Sequence, residues 1–322
     1  MNAKDIRIVF MGTPEFAVPS LRALVEGGYN VVGVVTTPDR AAGRGQKLYE
    51  CDVKVEAQRL GLPILQPEKL KSEEFVEALR RWAPDLGIVI AFRMLPEIVW
   101  AMPRFGTFNL HASLLPQYRG AAPINHAIIN GDKVSGVTTF LLNHEIDKGA
   151  IIGQIKVDIT SDDNVGSLYE KLMTIGTGLV VESVEKIAAG EIEPIEQTDI
   201  DETTLRPAPK IFKEDCKIDW NQSGERIVNF VRGLSPYPAA WSHLFSEDGS
   251  TTSAKIFDVS FETTSSKGSI GDIECNDKNH LAVRCNDGLI VIKSLQLAGK
   301  KRLTTKELLL GFKGLSKYKM VE

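Results

Sequence analysis

The sequence predicts an α/β fold in two parts: a Rossmann-like N-terminal domain, followed by a small antiparallel sheet or barrel. Over roughly the first 160 residues, short β-rich runs alternate with helix-sized segments. Those runs are continuously apolar rather than alternating, which marks strands buried on both faces, as in a parallel sheet covered by helices. Past a helical pattern at 223–233 the texture changes to closely spaced short strands with Gly, Asn and Asp between them, as in a small antiparallel sheet or barrel.

In order, IRIVFMG (6–12) is a β-branched run ending in glycine. Ala17, Leu21, Leu24 and Val25 then share one helical face, stopped by Gly27-Gly28. NVVGVVTT (30–37) is the next strand, and Val53, Ala57 and Leu60 mark a helix near 52–60. DLGIVIAF (85–92), GTFNLH (106–111) and GVTTFLLN (136–143) continue the strand series, and a long helical pattern at 164–189 closes the first domain (1–189). Residues 190–209 hold six acids, one Arg and three prolines, the composition of a linker. In the domain beyond it, 210–322, strands are expected at 254–260, 269–274, 281–285 and 289–295.

At 322 residues and net charge −4 the chain is long enough for two cores and too balanced to be mainly disordered. No apolar run approaches the roughly 18 residues of a membrane helix. The N-terminal MNAKDIRIVF passes straight into a strand with no cleavable-signal pattern, so a cytoplasmic protein is expected. Cys51, Cys216, Cys275 and Cys285 are scattered, with no C-x-x-C pair; buried, inert thiols are expected rather than a disulfide framework or zinc site. Residues 210–322 carry 17 Lys+Arg against 14 Asp+Glu, and 300–322 alone has seven bases and two acids. A basic module on an acidic first domain suits a polyanionic partner as well as a merely solvated face.

The first strand–turn, VFMGTPEFA, lacks the spaced glycines of G-x-G-x-x-G, which disfavours a nicotinamide oxidoreductase. No P-loop and no H-E-x-x-H occurs, and no metal is expected. The informative segment is FNLHASLLPQYRGAAPIN (108–125). Asn109 and His111, two apart at a strand end, project from one face, where open α/β sheets place ligands. An Asn amide can stabilise a developing oxyanion and a His can relay a proton near neutral pH. Asp147, in the turn between the run at 136–143 and a second β-like run, is the carboxylate available to orient that histidine, putting the three residues at successive strand ends. Alone, Asp147 reads better as a turn residue ahead of Gly149; the set of three shifts the balance. Ser113 lacks a G-x-S-x-G context, and Leu114-Leu115-Pro116 forms a rigid apolar wall for a flat ligand.

At these residues the chain resembles the methionyl-tRNA formyltransferase family, within the folate-dependent formyltransferases. The resemblance is carried by MGTPEFAVPSL (11–21), TPDRAAGRGQKL (37–48), FNLHASLLPQYRGAAPIN, the Asp147-Lys148-Gly149 turn, KIDW (217–220) and SLQLAGKK (294–301), nearly the whole chain. It implies a Rossmann-like formyltransferase domain and a C-terminal OB-like β-barrel that binds tRNA. The implied reaction moves a formyl group from 10-formyltetrahydrofolate to initiator methionyl-tRNA, with no metal, no membrane and no obligate protein partner. By position it implies Asn109, His111 and Asp147 as the catalytic group and Ser113, Leu114, Leu115 and Pro116 as the folate-contacting stretch. Arg40, Arg44, Lys47 and Lys210 are the implied tRNA contacts. Two departures stand out: Arg93, in a segment one residue shorter, replaces a small glycine, and Ala150 stands where an acid often follows D-x-G. The same catalytic trio serves amino-sugar-nucleotide formyltransferases and formyl-folate hydrolases, but neither needs a basic C-terminal module.

Overall fold

Of the five apolar runs, 6–12, 30–37, 85–92 and 106–111 pair in parallel, and 136–143 runs antiparallel. The computed structural model describes residues 1–42, 47–198, 201–246, 248–265 and 267–321. The chain runs β1 (Ile8–Gly12), α1 (Val18–Glu26), β2 (Val31–Val35), β3 (Arg40–Ala42), β4 (Lys47–Tyr49), α2 (Asp52–Arg59) and β5 (Ile64–Leu65). Next come α3 (Glu73–Arg81), β6 (Leu86–Ile90), α4 (Glu97–Trp100), β7 (Thr107–His111), α5 (Pro123–Ile129), β8 (Val134–Leu141), β9 (Ile151–Asp158) and α6 (Val165–Ala189).

The main sheet has the order β5-β2-β1-β6-β7-β8-β9. β5, β2, β1, β6 and β7 are mutually parallel, and β8 runs antiparallel to β7. β1 and β6 are buried along their whole length, as their unbroken apolar sequences require. Strand order reverses between β1 and β6, so the ligand crevice of such a sheet opens at the carboxyl ends of these strands, with β7 alongside. The expected strands and helices of this half are present, and the β-like run expected after the Asp147 turn is β9; β5 and the β3–β4 hairpin inside 37–48 were not foreseen. This first compact unit comprises 1–120, 135–157 and 169–207.

The second unit comprises 121–134, 158–168 and 208–322. It contains α5, α7 (Gly224–Leu234), β10 (Ala240–Ser246), β11 (Thr251–Thr263), β12 (Ile273–Cys275), β13 (Leu281–Arg284), β14 (Gly288–Leu297), β15 (Leu303–Thr304), α8 (Thr305–Gly311) and β16 (Tyr318–Val321). Its sheet has the order β12-β13-β14-β11-β10-β16. The ends meet where Asp272 pairs antiparallel with Lys319, and Met320 N donates to Gly271 O at 2.9 Å. Gly271 has φ +83°, and a Cβ there would sit 2.2 Å from Met320 O, so only glycine permits this closure. The result is a nearly closed barrel whose core gathers Ile227, Val231 and Leu234 of α7 around Trp220, whose indole N–H donates to Ser242 Oγ at 3.0 Å. The strand expected at 269–274 pairs only from Ile273, because the residues before it make the closing contact.

The first sheet is pinned at its amino end by Asp85. Its buried carboxylate takes Arg7 N and Nε at 3.0 Å, Arg7 Nη2 at 3.1 Å and Arg104 Nε at 2.9 Å. The Arg7 hydrogen bonds hold its pKa down at about 2. A carboxyl depressed on folding stabilises above its unfolded pKa and loses that contribution as pH falls through the folded one. Asp85→Asn is therefore expected to cost about 1–3 kcal/mol at pH 7. In urea titrations the gap from the parent should be full above pH ~4 and close toward pH 2.

Candidate active site

β7 places Thr107, Asn109 and His111 on one face. Leu110, on the other, packs against Gly176 of α6. Asn109 is half-buried, and its side-chain amide has no partner among the described residues, leaving its N–H groups for a ligand. His111 is buried, and its Nε2 lies 2.9 Å from the Tyr118 carbonyl oxygen. A carbonyl only accepts, so Nε2 carries the hydrogen. Nδ1 is left facing Asp147 Oδ2 at 4.0 Å. That separation is too long for a direct hydrogen bond and suits a small polar group or water between the two.

Asp147 reaches this position by a detour rather than from a neighbouring strand end. Because β8 is antiparallel, its end lies beside the start of β7, with Leu142 N donating to Thr107 O at 2.8 Å. The turn that follows must carry Asp147 back across the face to His111. Asp147 adopts φ +54°, a left-handed conformation Asp tolerates better than most residues. Its carboxylate accepts Gly120 N at 2.9 Å, so it is tied to the loop after β7 rather than closing a local turn. Sequence reasoning missed three supports: Tyr118, Arg119, which donates from Nε to Asp147 O at 3.2 Å, and Gln197, which donates to the same oxygen at 3.1 Å. An arginine beside a glycine and one polar side chain within an acidic stretch gave no periodic or motif signal.

The segment Ser113–Pro116 is held by Thr138, which faces His111 across β8. Its hydroxyl donates to Ser113 O at 2.7 Å and accepts from Leu115 N at 3.1 Å and Gln154 Nε2 at 2.9 Å. Ser113 is fully buried and spends its own hydroxyl on Gln117 O at 2.7 Å. Leu115 packs inward on Phe140 and Ile151, while Leu114 and Pro116 remain half-buried. Arg93 donates to the Pro67 and Glu68 carbonyls at 2.7 and 3.1 Å, so its guanidinium braces backbone; burial and then nearby Arg40 lower its pKa. Among the described residues no group of three or more His, Cys, Asp or Glu side chains is placed to hold a metal ion, and no helix is long and apolar enough to cross a membrane. The four cysteines are free, and burial pushes the thiols of Cys216, Cys275 and Cys285 up.

Residues 6–184 match the family described as Formyl transferase, and residues 210–313 match Formyl transferase, C-terminal domain. The methionyl-tRNA formyltransferase of Bacteroides thetaiotaomicron is 56% identical over 99% of this chain and 100% of its own length. The chain belongs to the methionyl-tRNA formyltransferase family. The Porphyromonas gingivalis member of that family is 48% identical over 97% of both chains. Two solved structures agree with the formyltransferase fold at 19% identity. WlaRD, a sugar 3N-formyltransferase, matches with TM-score 0.63 over 92% of this chain and 99% of its own. HypX from Aquifex aeolicus in complex with tetrahydrofolic acid matches with TM-score 0.62 over 94% of this chain, which spans only 47% of that protein.

In this formyltransferase-family chain the basic candidates fall in separate places. Arg40 is exposed on the β3–β4 hairpin. Lys47 sits opposite Ala42 in the same hairpin, and Arg44 lies outside the described residues. Asp39 does not neutralise Arg40, because its carboxylate is paired with Lys54 and accepts Gln66 Nε2 at 2.8 Å, which hold its pKa down. In the second unit Lys210 is exposed, with Nζ 5.3 Å from the ring centre of exposed Phe212. Both line a cavity of about 480 Å³ that Lys213, Lys255, Tyr237 and Trp241 complete.

Gly149 fixes the turn that carries Asp147: a Cβ there would lie 1.6 Å from Leu141 O. Gly149→Ala is expected to cost about 2 kcal/mol or more. Gly178→Ala, in open space on α6, should be neutral or stabilise by roughly 0.5–1 kcal/mol. Chemical denaturation of the two variants checks the opposite signs.

Proposed function

We propose that this protein transfers the formyl group of 10-formyltetrahydrofolate to the α-amine of methionyl-initiator-tRNA in the cytoplasm. In this reading 1–189 is the catalytic domain, 210–322 the tRNA-binding domain, and 190–209 joins them. The observation that carries it is the unpartnered Asn109 amide beside a histidine whose Nδ1 faces Asp147 at 4.0 Å, in a chain 56% identical to methionyl-tRNA formyltransferases.

The amine of an aminoacyl ester has a pKa near that of an α-amino group, about 7.7–8.0, so a free amine is available near neutral pH. It attacks the formyl carbon, and negative charge develops on the formyl oxygen. The Asn109 amide and the Nδ1–H of protonated His111 are the donors available to that oxygen. Asp147 keeps His111 oriented and charged, and accepts the proton the amine sheds, directly or through water. Collapse breaks the carbon–N10 bond, and N10 takes up a proton, so charge and atoms balance without a covalent enzyme intermediate. Half-buried Leu114 and Pro116 supply the apolar wall for the folate, with Ser113 and Leu115 holding that wall in shape. Arg40, Arg44, Lys47 and Lys210 grip phosphate or stack on unpaired bases of the tRNA.

Formylmethionine on initiator but not elongator methionyl-tRNA, detected by mass analysis, is the expected product. Folate turnover without formylated tRNA would overturn the reading in favour of a hydrolase or small-acceptor enzyme. Asn109→Ala should lower kcat by about 10²–10³ and Asp147→Asn by a comparable factor, both remaining folded. The KM for tRNA should rise steeply with salt while that for folate stays nearly flat, since phosphate contacts release counterions.

A further inference from the structure

We propose that Gln197 and Arg206 are positioning residues for the His111–Asp147 pair, so that the acidic stretch between α6 and residue 210 works as a strap on the reaction centre rather than as a spacer. The proposal rests on the formyl-transfer reading above and extends it to two residues outside the catalytic trio.

The loop 112–120 leaves β7 without helix or strand, and the turn carrying Asp147 is equally irregular. His111 and Asp147 therefore keep their geometry only if these two segments are held together. Gln197 does this with every polar atom of its side chain. Its Nε2 donates to Asp147 O at 3.1 Å and to Gly149 O at 2.7 Å, and its Oε1 accepts Arg119 Nη2 at 2.8 Å. Arg119 in turn donates to Asp147 O, and its neighbour Gly120 gives its N–H to the Asp147 carboxylate. The left-handed backbone of Asp147 is thus fixed by donors on both of its oxygen-bearing groups.

Arg206 holds the histidine side. Its N–H donates to Gln117 Oε1 at 2.9 Å, its carbonyl accepts Tyr118 N at 2.7 Å, and its Nη1 donates to the Tyr118 hydroxyl at 3.2 Å. Tyr118 carries the carbonyl that receives His111 Nε2. Between them, Gln197 and Arg206 reach the immediate support of both catalytic residues.

Around Gln197 the stretch is not held in place by burying apolar surface. Pro194, Ile195, Glu196 and Thr198 are exposed, and Gln197 alone among its neighbours is turned inward. Its anchor is a pair of backbone hydrogen bonds between Ile195 and Ile151, at 2.8 and 2.9 Å, at the start of β9. Specific polar contacts that converge on one turn, with little apolar burial, are what positioning requires. A misplacement of about 1 Å at a reaction centre can cost on the order of 10²-fold in rate.

The test measures initial rates of formylation of initiator methionyl-tRNA by the full chain, with 10-formyltetrahydrofolate as donor. Gln197→Met removes the donors and acceptor at nearly constant volume. It is expected to lower kcat roughly 10- to 100-fold with both KM values within about threefold and an unchanged melting midpoint. In an Asp147→Asn background the same substitution should lower kcat no further, because the group it positions is already gone. Losses that multiply, or a Gln197→Met enzyme with parental kcat, would overturn the proposal and leave Gln197 a structural contact. If Gln197→Met does not fold, Gln197→Glu carries the test: it keeps the acceptor for Arg119, lacks both donors, and should show the same kcat loss. Parental kcat there would also overturn the proposal. If Asp147→Asn itself retains parental turnover, the fault lies with the catalytic reading and not with the strap.

Discussion

The hydrogen bond from His111 Nε2 to the carbonyl of Tyr118 sets the terms for the rest of the site. Since the carbonyl cannot donate, the bond fixes the ring's hydrogen on Nε2 and leaves Nδ1 as the nitrogen that can change its protonation state. It also fixes the ring plane, so Nδ1 has one direction to face, and Asp147 stands there at 4.0 Å. The acceptor is itself held unusually: Tyr118 has φ +61°, and both its N–H and its hydroxyl are engaged by Arg206. A non-glycine residue in that region persists only when its surroundings over-determine it, and here they do so on behalf of the histidine.

The sheet explains why so much bracing is needed. A wholly parallel sheet would bring every catalytic residue to carboxyl ends on one edge, where loops meet naturally. Here the sheet turns antiparallel immediately after β7, and the next chain reversal falls beside Thr107, at the wrong end of the strand. The turn after β8 compensates by folding back over the face that bears Asn109 and His111. It passes so close to β8 that Gly149 is obligatory, and it arrives with Asp147 in a left-handed conformation. The result is a carboxylate and an imidazole that approach from different segments, 4.0 Å apart, without a direct hydrogen bond.

Much of this was legible in the sequence, and the exceptions share a cause. The continuous apolar runs of β1, β2, β6 and β7 read as buried parallel strands and pair so, while 136–143 carried the same signal and runs antiparallel; the shared face of Asn109 and His111 followed from strand periodicity. β9 was legible only as a β-like run without bounds, because Gln154, Lys156 and Asp158 alternate with Gly153, Ile155 and Val157 at a sheet edge, which leaves no continuous run. β10 was hidden behind two prolines and written as Ala-Trp-Ser-His-Leu-Phe-Ser, with serines on its buried face and Trp241 and Phe245 on the open one, the reverse of the usual pattern. β16 lies in a tail that drew notice for its lysines, yet Met320 seals the barrel there. The stretch 190–209 has linker composition, and beyond a short turn at Glu202–Thr204 its described residues form no helix. What composition could not reveal is that Gln197 and Arg206 bond to a loop some 80 residues earlier. Long-range polar contacts leave no periodicity.

The disposition of possible nucleophiles bears on the chemistry as strongly as the Asn109, His111 and Asp147 group does. In the first unit the hydroxyl nearest His111 in sequence is Ser113, wholly buried and donating to Gln117 O, with its carbonyl taken by Thr138. The one thiol of that unit, Cys51, is also buried and lies 2.9 Å from the Thr36 hydroxyl. An acyl-enzyme route needs a side chain that is exposed and activated by an adjacent base, and neither group meets that condition. His111 Nε2 carries hydrogen and has no lone pair with which to attack. The burial of Ser113 and Cys51 accords with the direct transfer proposed above, in which the nucleophile is the amine of the acceptor. In that reading a free amide, a fixed imidazole and a carboxylate 4.0 Å away stabilise the oxygen that becomes charged and receive a proton, and the value of each depends on how little it moves.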